Sequence, residues 1–126
     1  MRGIAAPGAG RVACGWASRP DVTPDDAHAS RVQVWVSRED ADADEVARRR
    51  AEAQRSELGG VQESPALGAA GGFVVGAYVP AGLELEAWLP GYRIVVTAMS
   101  PDDPAQWRLR DGVAAVERIA GPLTAR

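Results

Sequence analysis

The clearest signal along the chain is a change of hydrophobic period. From Arg31 to Val36, Val32, Val34 and Val36 alternate with Arg31, Gln33 and Trp35, the period-two pattern of a half-buried strand. From Ser37 to Leu58 the alternation stops. Acids gather first (Glu39, Asp40, Asp42, Asp44, Glu45) and arginines follow (Arg48, Arg49, Arg50, Arg55), an order that complements a helix dipole, with Gly59 and Gly60 as the stop. The pattern predicts a helix of about four turns. Its apolar face is thin (Ala43, Val46, Ala47, Ala51, Leu58), which suits a helix that covers a sheet by close approach of small residues.

Between Gly59 and Gly72 the chain is Gly, Ala and polar residues around Pro65, and a loop is expected. Strand signals then return in succession over Phe73–Val79, Leu83–Leu89 and Tyr92–Met99. The first two are separated by Pro80, Ala81 and Gly82, and the last two by Pro90 and Gly91. Pro-Gly at a turn centre pre-sets the first φ and supplies the positive second φ, so a three-stranded antiparallel meander is predicted. After Ser100–Pro104, the residues Val113, Val116, Ala120 and Leu123 fall at helical spacing. Asp111 is the expected cap, with a start at Pro104 as the alternative, and Gly121-Pro122 should disturb the end.

Residues 1–30 are rich in Ala, Gly, Pro and Asp and read as an irregular segment with one candidate edge strand at Val12–Trp16. Residues 31–126 read as a single α+β domain. The expected architecture is a mostly antiparallel sheet of four strands, five if the Val12–Trp16 segment joins, in the order β-α-β-β-β-α with both helices on one face.

Composition narrows the function classes. At 126 residues, with 46% hydrophobic and 25% charged positions, the chain is long enough for one core and too apolar for wholesale disorder. All 14 basic residues are arginines, yet the formal net charge is -3 and acids are interspersed, so no electrostatic footprint for nucleic acid is expected. No run approaches the roughly 20 apolar residues of a membrane span, and no transmembrane segment is expected. The start lacks the apolar core of a secretion signal. As it stands the chain reads as cytoplasmic, or as extracytoplasmic if a signal peptide has been removed.

Candidate chemistry is sparse. Asp25, Asp26 and the single His28 could share a metal, but a polar surface turn explains them better, and no metal or cofactor is expected. Cys14 is the only cysteine and reads as a structural or singly exposed thiol, because a nucleophile needs a base or a positive field beside it. Gly68–Gly72 precedes a strand, not a helix, and is read as a connector instead of a phosphate cradle. Arg48–Arg50 point around a helix with acids one turn earlier, the composition of a solvated face.

The aromatic pattern carries more. Trp35 is out of phase with Val32, Val34 and Val36, and Trp88 is out of phase with Leu83, Leu85 and Leu89. If the aliphatics face the helices, both tryptophans share the other face with Glu84, Glu86, Arg93, Val95, Thr97 and Met99. Apolar anchors among charges are what a partner surface or ligand groove contains, so Trp35, Trp88, Arg93, Met99 and Glu86 are the candidate binding residues. The competing reading is that the Gly-rich loop or the first thirty residues cover this face.

Cys14-Gly15-Trp16 ahead of a first strand, a charged helix, the stretch Gly68–Tyr78 with two further strands, and a closing helix with Ala114, Ala115 and Ala120 together resemble the small exported lipoprotein-type domains of actinobacteria. The resemblance covers most of the chain and implies a non-enzymatic domain of unknown ligand held outside the cell membrane. Three features depart from it: a signal peptide is lacking, the partner cysteine of that pattern is absent, and Arg11 stands where a lipid-attachment box has an aliphatic residue.

Three functions follow. The first is a non-catalytic binding or protein-interaction domain that uses the tryptophan-bearing face for a protein or a small apolar ligand. The second is a small enzyme with Glu84, Glu86 or Asp111 as acid or base and Arg93 as anion holder. The third is a structural homodimer paired through the face or an edge strand.

Overall fold

The computed structural model describes residues 30–56, 60–100 and 107–124, together with the backbone pairing of residues 11–17. Its strands are β1 (Arg11–Ala17), β2 (Arg31–Arg38), β3 (Val61–Gln62), β4 (Phe73–Val79), β5 (Gly82–Leu89) and β6 (Tyr92–Met99). They form one sheet in the order β1-β2-β6-β5-β4-β3, antiparallel at every pairing. The helices are α1 (Ala43–Arg55), α2 (Pro65–Ala69) and α3 (Leu109–Thr124). The class is α+β, and the five strands of seven or eight residues occur in the expected order.

The meander forms as the turn chemistry requires. Gly91 adopts φ 87°, a region open to glycine at little cost, and its position after Pro90 closes the β5–β6 turn. The same turn is tied to the connection after β2, because Glu39 N–H donates to the Gly91 carbonyl at 3.0 Å and Gly91 N–H donates to the Ala41 carbonyl at 2.9 Å.

Register sorts the side chains into two faces. One face is aliphatic: Val32, Val34 and Val36 on β2, Ile94, Val96 and Ala98 on β6, Leu83, Leu85, Ala87 and Leu89 on β5, and Val74 on β4. It packs against Leu67 of α2 and against Val113, Val116 and Ala120 of α3. Leu83, Leu85, Leu89 and Ile94 are fully buried there, each worth about 1.5–3 kcal/mol of transfer free energy. Helix α3 comes close because Gly112 has no side chain: a Cβ at that position would overlap a methyl of Leu85. The Tyr78 hydroxyl accepts a hydrogen bond from the first N–H of α3, at Leu109, over 3.2 Å.

Three expectations change, while helix α1, 13 residues over Ala43–Arg55, is close to the four turns expected within Ser37–Leu58, with Ser37 and Arg38 continuing β2. Its start is set by Asp42, whose side chain accepts from Glu45 N–H at 2.9 Å. The segment expected as a loop holds β3 and α2, where Ser64 caps Leu67 N–H and Pro65 occupies the first turn. Helix α3 starts at Leu109, with Asp111 inside its first turn and Pro122 inside the helix near its end; the alternative start at Pro104 lies outside the described residues.

The largest change concerns helix placement. Helix α1 does not share the aliphatic face with α3. It packs over β3, β4 and β5 on the opposite face, where Arg49 sits over the Trp88 ring. The physical reason lies in the two helix surfaces. Large aliphatics on the sheet need the apolar stripe of Val113, Val116 and Ala120 that α3 supplies, whereas α1 offers one buried valine, Val46, among arginines and alanines.

Candidate functional site

The face under α1 is the tryptophan-bearing one, and register lays it out row by row. Phe73, Trp88, Arg93 and Ser37 stand side by side across β4, β5, β6 and β2. Val75, Glu86, Val95 and Trp35 form the next row, then Ala77, Glu84, Thr97 and Gln33, then Val79, Gly82, Met99 and Arg31. Trp35, Trp88, Glu84, Glu86, Arg93 and Met99 therefore do share one face, as the alternation predicts.

They do not converge on one point. Trp88, Glu86 and Arg93 form a closed cluster: Glu86 accepts from Trp88 Nε1 at 2.7 Å with one oxygen and from Arg93 Nη2 at 2.8 Å with the other. The Arg49 and Arg93 guanidinium carbons lie 4.3 Å and 5.3 Å from the Trp88 ring centroid, within cation–π range. The hydrogen bond and charge of Glu86 raise the Arg93 pKa, against partial desolvation, so this guanidinium stays charged. Its Nε is buried with no hydrogen-bond partner among the described residues. Trp35 stands two strand spacings across and one row along from Trp88, roughly 12 Å, and Met99 lies in the far row between Gly82 and Arg31.

Arg49 belongs to the site although the sequence reading assigns it to a solvated run. Arg48 and Arg50 are exposed as expected, while Arg49 is partly covered and also bonds Glu45 at 3.1 Å. The usable signal is spacing: Val46, Arg49 and Ala53 recur at i, i+3 and i+7, the inward stripe of a helix. At the N-terminal end of this stripe, hydrogen bonding by Arg48 holds the Glu45 carboxyl down at about 2. Arg48 bonds Glu45 at 2.6 Å through Nη2 and also pairs with Glu52 one turn on.

Two open grooves flank the cluster. One, of about 390 Å³, runs between Ala53 and Ser56 of α1 and the strip Val75, Ala77 and Val79 of β4, with Glu84 and Glu86 on its floor. The other, of about 370 Å³, lies between Arg50, the β3–α2 connection and Phe73. The catalytic alternative asked for Glu84, Glu86, Asp111 and Arg93 in one place. Asp111 is on α3, over the aliphatic face, and Arg93 is engaged by Glu86, so these four are not assembled.

No group of His, Cys, Asp and Glu among the described residues is arranged to hold a metal ion. His28, with Asp25 and Asp26, lies outside the described residues, and Cys14 sits on β1 opposite Val34. No helix among the described residues is long and apolar enough to cross a membrane. No family model, no curated protein and no solved structure matches this chain.

Proposed function

We propose that this protein is a non-catalytic binding module that engages a protein or small apolar ligand through the open half of its tryptophan-bearing face. One observation carries the reading. Helix α1 lies over β3, β4 and β5, whereas the half built from β6 and β2 presents Trp35, Val95, Thr97, Gln33 and Met99, all partly exposed, with no helix centred over them among the described residues. Apolar side chains ringed by Arg93, Arg31 and Glu84 have the make-up of a recognition patch: anchors at the centre and charge at the rim. The closed Trp88–Glu86–Arg93 cluster serves as the rigid border of that patch, not as its contact surface.

The test places a charge in the patch. Gln33→Glu puts a carboxylate between Thr97 and the β1 strand without touching the aliphatic core. The immobilised full chain should retain a specific partner from extract of its own cell, and Gln33→Glu with unchanged circular dichroism should lose it. Acrylamide should quench Trp35 in a sedimentation-verified monomer, as judged from a Trp35→Phe control. Equal retention by the variant, or a Trp35 accessible only after a dimer is dissociated, would sink the reading; the latter would make this face a homodimer interface.

A further inference from the structure

We propose that the groove between α1 and β4 takes a basic side chain, arginine or lysine, of a partner polypeptide. The proposal goes beyond the open face, with which the groove shares a sheet side and the bordering Glu84 and Glu86 but none of the apolar anchors. Its apolar strip is Val75, Ala77 and Val79, successive same-face residues of β4, faced by Ala53 of α1. Such a strip suits the alkyl stem of a long basic side chain, which keeps its head in water while its methylenes lie on apolar surface.

The head is specified by charge. Among the described residues Glu84 and Glu86 are the only charged ones lining the groove, and they differ in availability. Glu86 is committed to Trp88 Nε1 and Arg93. Glu84 is exposed, stands opposite Ala77 on one side and Thr97 on the other, and makes no hydrogen bond or ion pair among the described residues. It therefore leaves one unneutralised carboxylate beside an apolar strip, complementary to a single cation on an aliphatic stem. Arg93 feels the field of Glu84 but is held by Glu86, so it does not neutralise this end.

A free small cation is the weaker occupant. Sites for small molecules enclose most of the ligand surface. Among the described residues this groove is open along its length, so most of the binding energy must come from the larger body that delivers the side chain.

The test is an amide chemical-shift titration of the full chain with acetyl-Ala-Arg-Ala-amide, the same peptide with citrulline in place of arginine, and agmatine. The arginine peptide should move the amides of Val75, Ala77, Val79 and Glu84 saturably. The citrulline peptide should not, and Glu84→Gln should weaken the arginine peptide roughly fivefold, the upper range for a solvent-facing ion pair. Absence of saturable shifts at the groove, equal response to citrulline, or an unchanged affinity in Glu84→Gln overturns the proposal. Agmatine binding as tightly as the peptide also overturns it, since the groove would then be a site for small cations. Gln33→Glu lies outside the groove, so loss of the open-face partner and loss of the arginine peptide are separately readable.

Discussion

The two faces of the sheet are made from the same five long strands and yet solve different problems. On the aliphatic face the central positions other than Gly76 carry apolar side chains, and α2 and α3 pack over it. On the other face the rows mix Trp, Val, Thr, Glu and Arg, and α1 covers only the β3–β5 side. The contrast shows what decides where a helix docks. A face of leucines and valines gains free energy in proportion to buried apolar area and draws the most apolar helices. A face with a tryptophan beside a carboxylate can instead be met by a charged helix, because Arg49 finds a cation–π partner there and keeps its ion pair with Glu45. The first arrangement buries the centre of its face, with Tyr78 left exposed at the β4 edge.

The sharpest way to break the comparison is to truncate at the centre of each face. Leu85→Ala, at a fully buried position touching α3, should cost about 2–5 kcal/mol in a urea titration. Val95→Ala, in the middle of the open half, should cost less than about 1 kcal/mol. If the two costs are equal, the mixed face is as much core as the aliphatic one and the proposed recognition patch does not exist.

Trp88→Phe should come next. It keeps most of the ring but removes the N–H that Glu86 accepts and weakens the cation–π contacts, for a loss of about 1–2 kcal/mol. A double mutant with Arg49→Ala should be less than additive, since both changes act on one contact. Full additivity would mean that Arg49 and Trp88 do not stabilise one another. Asp42→Ala, which uncaps α1, should cost about 1 kcal/mol and leave α3 untouched, visible as faster amide exchange in the first turn of α1 only.

The smallest effect is one of pH. Because the folded pKa of Glu45 is depressed to about 2 by Arg48, its contribution to α1 is fully present above the ordinary carboxylate value and is lost as pH falls from about 4.5 towards 2. A carboxyl titration followed by NMR should place the Glu45 midpoint well below that of an ordinary glutamate. Arg48→Ala should move it back up, and an unmoved midpoint would show that the pair does not persist in solution.

Much of the fold is legible in the chain because strand signals are local. Alternation fixes which side chains share a face, and Pro90-Gly91 fixes the turn whatever surrounds it. The short α2 was missed, because its Gly and Ala content reads as a loop, although the Ser64-Pro65 pair that caps and starts it is a signal that could have found it. The candidate site was legible only in part. Alternation places Trp35, Trp88, Glu86, Arg93 and Met99 on one side of the sheet. It does not say that three of them bond to one another while the other two stand apart.

The sequence by itself determined the four strands β2, β4, β5 and β6, their shared faces and the charged character of the first helix, since each depends on residues near one another along the chain. Tertiary structure alone decided that α1 crosses to the tryptophan face, that Arg49 leaves the solvated run, and that Glu84 is left uncommitted beside an apolar strip. Those outcomes depend on which surfaces compete for the same cover, and that competition is settled by buried area and charge pairing between segments far apart in the chain.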